Sequence, residues 1–331
     1  MIKKILYIFI LLFTSITYSQ LSKTHYIPPL THAAEGNANA VDQWIYISTP
    51  STSPVNVSIL PVGGTAQTIT VQNNQPQKVQ ISTNGYSQLY VEANTTSQVM
   101  NNKGYIIDAD KPIYVSVRVN AGGFEGNDDS SAQAGALVTK GLDGLGRTFR
   151  VGTFNSQSNS ANFNNYLNFL SVMATEDNTT VNFTNNYTSG FVIENYSGQF
   201  PINNIQLNRG ESYVIALELK DTSTSTTQDA VTRNRDGLIG TLIQSDKDIV
   251  VNSGSSNGSF HIGGARDYGI DQIVDLSRVG KEYILVRGDG SDGWENILVV
   301  GHEDGTEINI YGSSNSTQTI NCLLYTSDAA D

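Results

Sequence analysis

The 331-residue chain has one cysteine, Cys322, so no intramolecular disulfide can form. Its 19 lysines and arginines face 31 acidic residues, a formal net charge of −12. That shortage of cations argues against nucleic acid and anionic lipid as partners, since both need a basic footprint. Histidine is scarce as well. His25, His32, His261 and His302 include no pair at the short spacing of a zinc site, and no thiolate can join them. Leu, Ala, Glu and Lys are too sparse for long helices, and no window of a dozen residues carries a helical apolar stripe. Long hydrophobic runs are missing too. The longest, Ile5 to Phe13, has nine residues, too few to span a bilayer.

That short run has a different use. It follows Lys3 and Lys4 and precedes the small residues Thr17 and Ser19, the order of a removable signal peptide over residues 1–19. Export leaves 17 basic against 31 acidic residues, a net charge of −14 that suits extracellular solubility and tolerates divalent cations. An exported chain of this size without disulfides must be held by its cores.

Asn, Ser, Thr and Gly are abundant, and apolar residues fall in short runs rich in Val, Ile and Tyr. Examples are "WIYIS" (44–48), "PIYVSV" (112–117), "SYVIALEL" (212–219) and "DIVVN" (248–252). Turn formers such as Gly63-Gly64, Asn73-Asn74, Asn84-Gly85 and Asp304-Gly305 separate them. This pattern predicts an all-β chain of sandwich or barrel type.

The chain also repeats itself. "ATEDNTTVNF" (174–183) returns 127 residues later as "GHEDGTEINI" (301–310), and "STPSTSPVNVSI" (48–59) is a weaker copy 126 residues upstream. "GYIIDADKPIYVSV" (104–117) parallels "GTLIQSDKDIVVNS" (240–253), each read as strand, Asp-Lys turn, strand. "GALVTKGLDGLGRTFRV" (135–151) parallels "GIDQIVDLSRVGKEYIL" (269–285) at a constant offset of 134. The period is too long for a solenoid or a propeller blade. It predicts tandem β-sandwich-like modules of about 130 residues in a row. Their expected spans are 20–140, 141–276 and, for the start of a truncated third, 277–320. The echoed Asp-Asn and Asp-Gly should mark hairpin turns, because Asn and Gly tolerate positive φ.

Two Gly-rich segments, 122–135 and 254–269, hold equivalent places at module ends. Long loops on a rigid sandwich are where binding usually resides, although a module linker has the same composition. The second segment and its continuation supply the candidate ligand-binding residues His261, Arg266, Asp267, Tyr268 and Asp271, with Trp294 from a later loop. Tyr268, like Tyr86, Tyr187 and Tyr196, lies in a polar, turn-rich stretch where an exposed ring can stack on sugar. Tyrosine is equally at home in half-buried strands. In "VRGDGSDGWEN" (286–296), Asp289, Asp292 and Glu295 lie in a Gly-punctuated loop able to surround Ca2+; a solvated hairpin loop is the plain alternative. No other cofactor is indicated. There is no nucleophile elbow and no local Ser-His pairing, so no catalytic residue is assigned.

Three stretches carry a resemblance: "LSKTHYIPPLT" (21–31), "DQWIYISTP" (42–50) and "RDYGIDQIVDLSRVGKEYILVRGDGSDGWENILVVGHEDGTEINIYG" (266–312). They resemble the N-terminal region of large flavobacterial surface proteins, a region classed with the IgGFc-binding-protein N-terminal domain. The resemblance covers residues 21 to about 320. It implies export through the type IX secretion machinery, which reads a gliding-motility-associated C-terminal sorting domain, and placement at the outer face of the bacterial cell surface. It brings no catalytic residues, and antibody binding is not carried over with the family's name. The tail "NCLLYTSDAAD" breaks the strand alternation and resembles translated adapter sequence. Residues 321–331 are therefore expected to be non-native, and the chain the front part of a longer protein. The reading is a non-catalytic secreted surface protein, an adhesin-like stalk contacting extracellular glycans or a matrix or cell-surface protein. A purely structural spacer and a secreted hydrolase with a loop-borne site are the competing classes.

Overall fold

Period-two alternation sets the elements. In Val55–Pro61, Val55, Val57 and Ile59 are buried while Asn56 is exposed. In Thr179–Thr184, buried Thr179, Val181 and Phe183 alternate with half-buried neighbours. A strand with one face in a core and the other near water has this pattern. The computed structural model describes residues 20–31, 40–121, 133–152, 167–185, 192–218, 237–258, 267–286, 297–312 and 315–321.

Within them the chain is all-β. The strands are β1 Ser22–Ile27, β2 Leu30–Thr31, β3 Asp42–Ser48, β4 Val55–Pro61, β5 Gln67–Val71, β6 Gln77–Ser82, β7 Tyr90–Val91, β8 Val99–Met100, β9 Tyr105–Ala121 and β10 Gln133–Val138. There follow β11 Gly146–Arg150, β12 Leu167–Ala174, β13 Thr179–Thr184, β14 Ile202–Leu207, β15 Ser212–Glu218, β16 Leu242–Gly258, β17 Asp267–Ile273, β18 Thr306–Ile310 and β19 Ser316–Ile320. Helical structure among these residues is limited to short 3-10 turns.

Two sheets share one plan. The first runs β5-β4-β9-β3-β6, with β1 and β10 also on β9. The second runs β14-β13-β16-β12-β15-β8, with β11 and β17 also on β16. Matching the 17-residue strands β9 and β16 brings the other pairings into correspondence. Ser22 pairs Ile113 and Thr24 pairs Asp108 across a bulge, as Gly146 pairs Ile249 and Thr148 pairs Gln244. Gly135 pairs Val119 and Gly269 pairs Ser255; the glycines lie 134 residues apart and their partners 136, the separation that relates β9 to β16. The two Gly-rich segments thus join the strands of equivalent hairpins, β9–β10 and β16–β17. Residues 122–132 and 259–266 lie outside the described residues.

The expected Asp-Lys turns are not turns. Asp110-Lys111 and Asp246-Lys247 lie inside β9 and β16, where each central strand changes neighbours. β4 pairs Tyr105 to Ala109 and β3 pairs Tyr114 to Asn120; β13 and β12 divide β16 in the same way. The carboxylate satisfies an amide at the changeover. Asp110 accepts from the Asn56 N–H at 3.2 Å and Asp246 from the Thr180 N–H at 2.8 Å. With that donor satisfied the strand passes through the changeover without folding back. The echoed hairpin turns do appear as expected, with φ of +54° at Asn178 and +72° at Gly305.

The sheets are packed face to back rather than strung as separate bodies. One core cluster joins Ile45, Ile47, Val57, Val115 and Val117 of the first sheet to Phe169, Val214 and Ala216 of the second. Alternation along β12 turns Phe169 toward the first sheet, while Leu170 and Val172 enter the second sheet's own cluster with Phe149, Phe183 and Ile243. All eight residues of β12 are buried as a result. Tyr26 and Ile106 meet Met173 and Val250 along the seam. β18 and β19 form a separate hairpin.

Candidate functional site

The strand "DQWIYIS" builds the most distinctive surface. Ile45 and Ile47 face the core, so Trp44, Tyr46 and Ser48 stand half-buried on the opposite side. Trp44 lies between Gln80 and Arg118, and Tyr46 between Lys78 and Ser116. Tyr114 stands opposite Ser48, and Val138 of β10 extends the row beside Ser116. Tyr114 and Val138 are exposed.

Diagonal contacts tie this face together. The Lys78 ammonium sits 4.7 Å from the centre of the Trp44 ring, and the Arg118 guanidinium 4.7 Å from that of Tyr46. The two rings lie 6.4 Å apart at 47°. Trp44 Nε1 donates to Asp42 Oδ1 at 2.8 Å, and Gln80 Nε2 donates to the same oxygen at 2.9 Å. Asp42, two residues before Trp44 on the same face, is buried and holds the edge of the indole. Each cation–π pair at such a site contributes about 0.5–1 kcal/mol, enough to orient the rings. The outward positions carry two cations, Lys78 and Arg118, and one acid, Asp42, whose Oδ1 is taken up by Trp44 and Gln80, on a chain with a net charge of −12. In the second sheet the residue in Trp44's place is Phe169, which pairs Gly254 as Trp44 pairs Arg118. Phe169 is covered by the first sheet's core, whereas the Trp44 face is open.

The residues singled out from sequence fare differently. His261, Arg266 and Trp294 lie outside the described residues, as do Asp289, Asp292 and Glu295 of the calcium reading. Asp267 and Asp271 are exposed, and both reach the first sheet's end. Asp267 Oδ1 accepts from the Ala134 N–H at 3.0 Å, and Asp271 Oδ1 lies 2.8 Å from Lys140 Nζ.

Tyr268 corrects the expectation of an exposed ring. It is only 5% exposed and meets Tyr90 edge-on, with ring centres 6.2 Å apart. Alternation along β17 turns residue 268 into the shared core, and Gly135 opposite leaves it room. Burial, then the neighbouring Tyr90, pushes its phenol well above the ordinary range. It offers no face to a sugar. Tyr86 and Tyr196 are exposed, and Tyr187 lies outside the described residues.

His25 is buried. Its Nδ1 lies 2.6 Å from Thr139 Oγ1, and its Nε2 lies 3.2 Å and 3.0 Å from the carbonyls of Ser22 and Ile113. Burial lowers its pKa against the pull of those carbonyls. His302 is exposed, with Nδ1 3.2 Å from Arg150 Nη2. Among the described residues no three His, Cys, Asp or Glu side chains are grouped to hold a metal ion. Nor, among them, is any helix long and apolar enough to cross a membrane.

Sequence reasoning passed over the Trp44 face. Its signal was the alternation Trp44-Ile45-Tyr46-Ile47, with Lys78 and Arg118 on strands that turned out to be neighbours. None of the curated proteins matches the chain. A family model described as IgGFc binding protein matches residues 134–322, from β10 through β19 and more than half of the chain. The chain belongs to the IgGFc-binding protein family.

Proposed function

We propose that this chain is a non-catalytic, exported surface protein that holds an acidic extracellular glycan on the open aromatic face of its first sheet. One observation carries the reading. Trp44 and Tyr46, flanked by Lys78 and Arg118, are open to solvent where the second sheet's equivalent face is covered. Sugar C–H faces stack on such rings, while carboxylate or sulfate groups on the sugar meet the two cations. Trp, Tyr and Arg are also the side chains that dominate binding energy at contact surfaces. Membership of a family described by binding supports a non-enzymatic role. The signal-like residues 1–19 and the likeness to type IX-exported flavobacterial proteins support display outside the cell.

The face-to-back packing of the sheets favours a second reading, a stalk that positions other domains. Retention on immobilised polyuronate, sulfated glycan and neutral glycan columns separates the two. A binder is retained by an acidic glycan, elutes with salt, and loses at least tenfold in affinity on Trp44→Ala or Arg118→Ala while both variants keep a cooperative thermal transition. No retention by any acidic glycan, or full retention by both variants, overturns the glycan reading and leaves the stalk.

A further inference from the structure

The fold does not demand the side chains of the open aromatic face. At the matching pairings the second sheet has Phe169 for Trp44, Ser171 for Tyr46, Val214 for Lys78 and Gly254 for Arg118. All four of these are buried. The same strand pairings thus form without either cation and without the tyrosine.

The cations are placed in a definite way. β3 runs between β6 and β9, with Lys78 on one neighbour and Arg118 on the other. Lys78 stands opposite Tyr46 but reaches the Trp44 ring, and Arg118 stands opposite Trp44 but reaches the Tyr46 ring. Each ring has one cation of its own, and the two cations flank the row from opposite sides. The ring centres lie 6.4 Å apart, about one sugar residue, and the planes are inclined by 47°. A single rigid plane cannot lie on both rings. Two sugars joined by a rotatable glycosidic bond can.

Resting on the glycan reading above, we propose that the ligand is a (1→4)-β-linked uronan, with equatorial linkages and a carboxylate on every residue. Equatorial linkages make a ribbon whose sugars present flat C–H faces to aromatic platforms. Successive residues of such a ribbon are turned over, so their carboxylates project from opposite edges. Lys78 and Arg118 hold the matching positions, each able to meet one carboxylate in a charge-assisted hydrogen bond. A glycan acidic only at alternate residues leaves one cation unmatched, and axial linkages buckle the chain away from one ring. The ends of the row set the direction. Next to Trp44 comes Asp42, whose carboxylate opposes a further acidic sugar. Next to Tyr46 come Ser48 and, opposite it, the exposed Tyr114, over which the ribbon continues.

Calorimetry on the 331-residue protein compares four probes at low salt. They are a tetramer of (1→4)-β-glucuronan, its methyl ester, a tetramer of (1→4)-α-galacturonan, and a hyaluronan octamer of the same charge. The glucuronan tetramer should bind at least tenfold tighter than the other three. Lys78→Ala and Arg118→Ala should each abolish that preference, and Lys78→Arg should keep it. Tyr114→Ala should weaken the tetramer at least threefold and leave the glucuronan dimer unchanged; equal losses, or none, overturn the direction. Galacturonan or hyaluronan bound as tightly as glucuronan overturns the ribbon and leaves an acidic glycan. So does failure of glucuronan to bind when a sulfated glycan column retains the protein. Equal binding of the methyl ester, or no binding by any acidic glycan, overturns both readings. Self-association that covers Trp44 and blocks glucuronan also overturns both, and gives the face to a second copy.

Discussion

Gly135 of β10 lies so close to Tyr268 of β17 that a Cβ at position 135 would sit 2.4 Å from the tyrosine's Cβ and 3.0 Å from its carbonyl oxygen. Neither atom can swing away by a rotamer change. Gly135→Ala must therefore move one strand relative to the other, a form of overpacking that costs about 1–3 kcal/mol. Thermal unfolding should show a Tm lowered by several degrees. A variant melting with the wild type would mean that the two strands do not meet this closely in solution.

Tyr268 itself separates a core role from a ligand role. Removing a buried aromatic ring costs about 3–5 kcal/mol, whereas an exposed one changes stability by less than about 0.5 kcal/mol. Tyr268→Ala should sharply lower the denaturant midpoint, and Tyr268→Phe should lower it much less because the ring contact with Tyr90 survives. A neutral Tyr268→Ala would restore the tyrosine to the surface.

Acid should weaken the fold in two separate steps. His25 is held neutral, with its folded pKa below the ordinary 6.5 because burial outweighs the carbonyl contacts and the charge of Asp108. As pH falls below about 6.5 the unfolded chain takes up this proton first, so stability declines from there down to the folded pKa. Asp275 adds a lower step. Burial pushes its carboxyl up, but donors from Ser277, Thr148 and Arg147 together outweigh that and hold it below 3.8. Its contribution is intact above about pH 3.8 and is lost as pH falls through the folded value. Denaturant midpoints measured from pH 8 to 3 should show both steps, and His25→Gln should flatten the upper one alone. An upper step unchanged in that variant assigns it to another group.

These positions also mark how far the sequence could be read. The turn glycine and asparagine were legible because positive φ is a local demand, met at Asn178 and Gly305 whatever lies around them. The repeat was legible too, since Gly135 and Gly269, 134 residues apart, pair with equivalent positions of β9 and β16. Asp-Lys misled because a charged pair between apolar runs has the composition of a turn. Only the neighbouring Asn56 and Thr180 amides show that the carboxylate serves a continuous strand. The faces were the least legible. Trp44 and Phe169 hold equivalent places, and which is covered depends on how one sheet stacks on the other, a contact between residues more than a hundred apart.

That stacking makes a prediction about cooperativity, which turns on Gln272. This residue is 1% exposed. Its Oε1 accepts from the Lys140 N–H at 2.7 Å, and its Nε2 donates to the Tyr26 carbonyl at 3.1 Å and to Asn252 Oδ1 at 3.3 Å. It thus joins β17 and β16 of the second sheet to the first sheet's β1 and to the end of β10. Gln272→Glu would turn a carboxylate oxygen toward two other oxygens, leaving buried acceptors without a donor at about 1–3 kcal/mol or more. Because the core is shared, that loss should not be confined to one sheet. Calorimetry should give a single transition for the wild type and a single, lower one for Gln272→Glu. Modules with independent cores would instead give two transitions, with only one of them moved by the substitution.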